Sequence, residues 1–196
     1  MSSCSSCFKY VLTGGPGAGK SVIAAELVRR DARLVLVPEA ATQVYKRRGT
    51  TWDRLDVNNR RAAQREIYRL QVEQEARIAA ENPGRMLLLD RGTIDGATYW
   101  PEGPDDYSRD LGTSLDEELS RYHGVIWMQT AAAIGIYDGA ASNEVRFEPE
   151  SAAIESGRRL LELWGRHPRV RRVDVYRNLE DKISAVMVAL RELMGE

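Results

Sequence analysis

Apolar positions fall in short runs, separated by polar stretches of fairly even length. Phe8, Tyr10, Val11 and Leu12 make residues 8–13 a β-rich run that ends in glycines. Val22, Ile23, Leu27 and Val28 then form a stripe at helical spacing, which predicts a helix over Lys20–Arg30. Leu34–Val37, stopped by Pro38, reads as a second strand. From about Asp53 to Glu81 the chain is polar and helical, with Val57, Ile67, Leu70 and Ile78 as its sparse apolar positions, until Asn82-Pro83-Gly84 breaks it. Met86–Leu89 is a continuous apolar run, the mark of a strand covered on both faces. Residues 92–114 hold many Gly, Pro and Asp and read as loop with short helix. Val125–Met128 is a fourth strand, and 135–144, small and polar, reads as a mobile loop. Pro149–Trp164, with Ile154, Leu160, Leu161 and Trp164, reads as a helix, Val170–Val175 as a fifth strand and Leu179–Met194 as a closing amphipathic helix. Strand and helix alternate throughout, which predicts an α/β fold with a parallel sheet between helices.

Composition changes this picture little. The 196 residues suit one domain, expected over 8–196 after a flexible tail at 1–7. Lys and Arg number 28 against 29 Asp and Glu, so the balance gives no reason to expect a nucleic-acid partner or a membrane surface. No stretch approaches the roughly 18 apolar residues that cross a bilayer. Met1–Cys7 has neither a basic n-region nor an apolar h-region, so the expected location is the cytoplasm. Cys4 and Cys7 have C-x-x-C spacing, but His123 and His167 stand far apart and unpaired. Metal binding needs about four ligands and redox activity a helix start, so the pair is expected to belong to the tail.

The chemistry begins after the first strand. Gly14-Gly15-Pro16-Gly17-Ala18-Gly19-Lys20-Ser21 matches G-x-x-x-x-G-K-[ST] in full. Small residues let successive N–H groups curl towards phosphate oxygens, and the helix opening at Lys20 adds its positive end. A strand before and a helix after are what this mechanism requires. Gly15, Pro16, Gly17, Ala18, Gly19, Lys20, Ser21 and Val22 are the expected contacts to a nucleoside triphosphate. Lys20 would bridge the β- and γ-phosphates and Ser21 would ligate Mg²⁺.

Leu87-Leu88-Leu89-Asp90-Arg91 ends a buried strand in an acid, which in such folds sits across from the phosphate loop and holds Mg²⁺. ATPases that activate water commonly carry a second carboxylate directly after this acid. Here the position is Arg91, a cation suited to transfer or to an anionic acceptor. No N-K-x-D segment supports guanine recognition, so ATP is the expected nucleotide. Glu39 ends the second strand, at the edge where open α/β sheets bind ligands. It reads either as a base for a substrate hydroxyl or as an acid favouring the dipole of a following helix. Arg61, Arg65 and Arg69 share one helix face, with Arg60 beside them. They read as anchors for an anion or, more simply, as a solvated face paired with Glu66 and Glu73. Tyr99, Trp100 and Tyr107 read as packing aromatics or as a stacking surface for a planar acceptor.

Together the phosphate loop, Glu39 in Pro-Glu-Ala, and Asp90-Arg91 resemble the P-loop nucleoside and nucleotide kinase superfamily. The wider layout resembles the AAA_28-type ATP-binding domain, whose relatives include ribosylnicotinamide kinase domains. Gln64–Gln74, Asn143-Glu144-Val145-Arg146 and residues 164–170 add to the likeness. The resemblance implies a three-layer P-loop NTPase fold with a five-stranded parallel sheet in 2-3-1-4-5 order. It also implies a lid near 131–148 whose arginine is Arg146, closing on the triphosphate. The chain departs from familiar kinases in having few basic residues between Thr130 and Asn143, and no clear base-recognition signature. The activity so implied is γ-phosphoryl transfer from Mg·ATP to a small hydroxyl compound, with Lys20, Glu39, Asp90, Arg91 and Arg146 as the catalytic set. The alternatives are a regulatory ATPase acting through a protein partner, and a nucleotide-binding module without turnover.

Overall fold

The computed structural model describes residues 7–135 and 149–196. Five strands form one parallel sheet: β1 (Lys9–Thr13), β2 (Leu34–Val37), β3 (Met86–Asp90), β4 (Gly124–Met128) and β5 (Val170–Val173). Their order is β2-β3-β1-β4-β5, as the resemblance implies. The register sets Leu12 of β1 between Asp90 of β3 and Ile126 of β4. Strand alternation divides the core in two. Tyr10, Leu12, Leu88, Ile126 and Met128 face a cluster built from α1 (Lys20–Arg30) and the C-terminal helix Leu179–Met194. Val11, Leu87, Leu89, Val125 and Trp127 face the other, closed by Ile94 and by Leu160 and Trp164 of the helix Glu150–Trp164.

Three further helices lie between: α2 (Ala40–Arg48), α3 (Val57–Glu81) and α4 (Pro104–Leu111). A short α5 (Leu115–Ser120) precedes β4, so Glu150–Trp164 is α6 and Leu179–Met194 is α7. α2 follows Glu39 directly and ends at Gly49 in the left-handed region. The sequence places the start of the long helix near Asp53. A 3₁₀ turn, Trp52–Arg54, intervenes instead, and α3 starts after Asp56, whose side chain accepts the Asn59 N–H.

The inward face of α3 is polar. Gln64, Gln71, Gln74 and Glu75 are buried with Ala63 and Ile78, whereas Val57 is exposed. The buried Glu75 carboxylate is offset by Lys9 at 2.8 Å and Arg121 at 3.3 Å, and it also accepts from Tyr122 at 3.0 Å. Two other stripes shift in the same way. Val22 is 57% exposed, and α6 turns Ala153 and Gly157 inward rather than Ile154. Cys7, placed with the tail by sequence, packs against the second cluster and donates its thiol to the Arg85 carbonyl. Cys4 lies outside the described residues. No helix among the described residues is long and apolar enough to cross a membrane.

Candidate functional site: a phosphate loop and an adjoining cleft

The loop from Gly14 to Lys20 leaves the carboxyl end of β1 at the centre of the sheet. Gly14, Gly17 and Gly19 stand at φ of 139°, 72° and 81°, conformations that side chains rarely adopt. The loop is also gripped from outside. A Cβ on Gly14 would lie 2.2 Å from the Met128 carbonyl oxygen, and one on Gly15 would lie 2.4 Å from that of Ala153. Thr130 donates its hydroxyl to the Pro16 carbonyl at 2.5 Å, and the Ala131 N–H donates to Gly17 at 3.2 Å. The N-cap of α1 is Gly19, so no side chain caps that helix, and its first N–H groups are left for a ligand. With its side chain in solvent, Val22 has only its main chain to offer the loop.

Lys20 is buried against its own loop, donating to the carbonyls of Gly14 at 2.9 Å and Gly15 at 3.0 Å. Burial, helped by the nearby Arg91 charge, lowers its pKa to about 7 against the opposing pull of Asp90, Glu39 and Asp95. Ser21 donates its hydroxyl to Asp90 Oδ2 at 2.5 Å. The other oxygen, Asp90 Oδ1, is buried without a hydrogen-bond partner. Burial and the Glu39 charge raise the Asp90 pKa, against Lys20, Ser21 and Arg91. An orphaned carboxylate oxygen beside a serine hydroxyl is a donor set that fits a hard cation such as Mg²⁺.

Glu39 and Arg91, read separately in the sequence, form one unit. Arg91 Nε donates to Glu39 Oε1 at 2.6 Å, and its Nη1 donates to Asp95 Oδ1 at 3.1 Å. Thr42 donates to Glu39 Oε2 at 2.6 Å. Burial works against the Arg91 charge, but Glu39 first, then Tyr99 and Asp95, hold its pKa well above the ordinary value. Arg91 has φ 78° and is the one non-glycine residue at positive φ among the described residues. Its carbonyl accepts from Gln71 at 3.3 Å.

Beside this unit lies a cleft enclosing about 340 Å³ of empty space, its open mouth included. Glu39, Ala40 and Ala41 line one side, Gln64, Ile67, Tyr68 and Gln71 of α3 another. The segment from Arg91 to Tyr99 completes it. The sequence reads 92–114 as loop with short helix, and the first short helix here is a buried 3₁₀ turn over Thr93–Tyr99 that forms one wall of the cleft. Asp95 escaped the sequence reading, and Gln64 and Gln71 entered it only within the likeness over Gln64–Gln74, not as site residues. Their signal is polar residues recurring at core-facing spacing on α3, and an acid five positions after Asp90.

The remaining candidates divide plainly. Arg61 and Arg65 do not enter the cleft. Both bind Asp110, and both lie over the Trp100 ring. Arg60 lies over Trp52, while Glu66 pairs with Arg47 and Arg48 instead of the α3 arginines. Trp100 and Tyr107 are packing aromatics, and Tyr99 alone of the three lines the cleft. Arg146, with most of the 131–148 segment, lies outside the described residues.

A parallel sheet in this order, with a glycine loop between first strand and first helix and an acid ending the neighbouring strand, defines a P-loop nucleotide-binding domain. The chain belongs to the AAA_28 family, described as an AAA domain, whose model matches residues 9–182. Two solved structures share the fold. NadR protein in complex with NAD and AMP-PNP has a TM-score of 0.68 at 16% identity, covering 97% of this chain and 50% of its own. NadR protein in complex with NR has a TM-score of 0.69 at 16% identity, covering 97% and 52%. The chain thus spans about half the length of these proteins. No curated protein matches it.

Proposed function

We propose that the chain transfers the γ-phosphoryl group of Mg·ATP to a hydroxyl of a small, unphosphorylated acceptor seated in the cleft. The observation that carries this is the Glu39–Arg91 pair, which lines the cleft while its charges act on Lys20 in the phosphate loop. NadR, which shares the fold, was solved with AMP-PNP and with NR, and that supports a nucleotide beside a second ligand.

Charge favours a neutral acceptor. The Asp, Glu, Lys and Arg side chains lining the cleft are Glu39, Asp95 and Arg91, two carboxylates and one guanidinium. Among the described residues lining the cleft no surplus cation remains for a phosphate, and Arg61 and Arg65 nearby on α3 are committed to Asp110. A hydroxyl must lose its proton as it attacks. Glu39 accepts hydrogen bonds from Arg91 and Thr42, and the two oxygens of a carboxylate offer about four acceptor sites in all. Arg91 holds the carboxylate in place, so the proton passes to Glu39 late, as the new P–O bond forms and the γ-phosphorus bond to the bridging oxygen breaks with ADP leaving.

The loop amides and the α1 N-terminus hold the phosphates, and Lys20 leaves its two carbonyls for the β- and γ-oxygens. Ser21 and Asp90 are the residues that would hold Mg²⁺, which supplies neutralisation of charge between β- and γ-phosphates when bound. The position directly after Asp90 holds Arg91 rather than a second carboxylate, and this favours transfer over hydrolysis.

Turnover measured against a panel of nucleosides, sugars and other hydroxyl compounds tests the reading. One class is expected to raise ATP consumption sharply, and Glu39→Gln to abolish that rise while retaining nucleotide binding. A panel that never exceeds the acceptor-free rate, with slow hydrolysis responding to a protein partner, would point to a regulatory ATPase instead.

A further inference from the structure

Asp95 is buried, and its carboxylate accepts four hydrogen bonds from separate parts of the chain. Oδ1 accepts from Thr13 Oγ1 at 3.0 Å and Arg91 Nη1 at 3.1 Å. Oδ2 accepts from Trp164 Nε1 at 2.8 Å and the Gly92 N–H at 3.3 Å. Thr13 immediately precedes the phosphate loop, and Trp164 ends α6. The carboxylate therefore joins the root of the loop, the guanidinium at the cleft and the helix behind both.

We propose that Asp95 is the positioning residue for Arg91, setting the angle at which the guanidinium meets Glu39 and the loop. The proposal rests on the phosphotransfer reading for its kinetic consequences, though not for its geometry. Left-handed backbone at a non-glycine residue is strained and persists only where the surroundings over-determine it. Arg91 meets that condition. Its N–H donates to Leu12, its carbonyl accepts from Gln71, and its fork is held by Glu39 and Asp95. Capping of the 3₁₀ turn explains only the Gly92 contact, the longest of the four.

The substitution Asp95→Asn separates the two roles. An amide oxygen turned towards Trp164 and Gly92 preserves both of those bonds. Its NH₂ then faces Thr13 and Arg91. A threonine hydroxyl can reverse and accept, but a guanidinium has no acceptor. The cap survives, and the Arg91 contact alone is lost.

The experiment follows the Arg91 Nε–H by ¹H–¹⁵N NMR, assigned by its disappearance in Arg91→Lys, alongside kinetics with an activating acceptor. Asp95→Asn is expected to speed exchange of that proton roughly tenfold or more, with the Trp164 indole signal retained. It is also expected to lower kcat by about 10–100-fold, the effect of a misplaced group, with acceptor KM and AMP-PNP affinity unchanged. In an Arg91→Lys background the same substitution should cause little further loss. Unchanged exchange in Asp95→Asn, or losses that multiply across the two substitutions, would overturn the proposal. Should the wild-type chain turn over no acceptor, the phosphotransfer reading fails alone, and the exchange measurement still decides the role of Asp95.

Discussion

The phosphate loop and the adjoining cleft are built on opposite principles. The loop comes from eight consecutive residues, Gly14 to Ser21, and works through main-chain groups. The cleft is assembled from side chains of β2, α2, α3 and the turn after β3, and it works through a closed set of charge pairs. Removing one residue from the loop takes away a contact to the ligand. Removing one from the cleft also leaves its buried partners exposed to each other. The loop should therefore separate function from stability, and the cleft should not.

Arg91→Gln tests that contrast most severely. It strips the counter-charge from Glu39 and Asp95, whose side chains are 10% and 5% exposed. A loss of about 3–5 kcal/mol in unfolding free energy, measured by urea denaturation, is expected for breaking a buried pair. A change below 1 kcal/mol would mean that the cleft is no more integrated than the loop. Lys20→Met should do the reverse. Turnover falls by about 10²–10³-fold, as for loss of one preorganised charge-stabilising donor. The melting temperature should hold or rise, because a buried ammonium has been removed.

A second buried lysine shows what a cation does without an acid. Lys182 on α7 donates to the Gln129 carbonyl at 2.7 Å, and burial lowers its pKa to about 8. The folded chain then binds fewer protons than the unfolded one between that value and the unfolded 10.4 or so. Stability contributed by this group must rise with pH across that window, and below it the full penalty of a buried charge applies. The wild-type unfolding free energy should gain on that of Lys182→Met by on the order of 2 kcal/mol between pH 7.5 and 10.5. A flat difference would show that the ammonium is solvated. Gln64→Leu is the mildest change. It removes a cleft-lining amide that donates to Tyr45 and should raise acceptor KM roughly tenfold while leaving the KM for ATP alone. An equal effect on both would blur the boundary between the two regions.

The same contrast explains what could be read from sequence. The strands and the loop were legible because apolar runs and the G-x-x-x-x-G-K-[ST] spacing are local, whereas strand order came only from the resemblance to P-loop kinases. Asp90 was legible because it closes such a run. The pairing of Glu39 with Arg91 joins residues 52 apart, and spacing cannot announce it. Gln64, Gln71 and Glu75 hid for a different reason. A periodicity search equates burial with apolarity, and α3 buries amides and a carboxylate because their partners wait on β1, on the turn after β3 and around Tyr122. Residues 92–97 hid because Gly and Asp, the residues of turns, here serve close packing: a Cβ on Gly92 would meet the Trp164 ring at 2.7 Å.

The grip on the phosphate loop has a mechanical consequence. Gly17 and Pro16 are held by Ala131 and Thr130, and Gly15 lies hard against the Ala153 carbonyl. These partners belong to the 3₁₀ turn Ala131–Ile134 with its preceding Thr130, and to the first turn of α6. The loop is therefore a clevis pin between that turn and that helix. A push on the loop, such as a seated triphosphate would deliver, loads both of its attachment points at once.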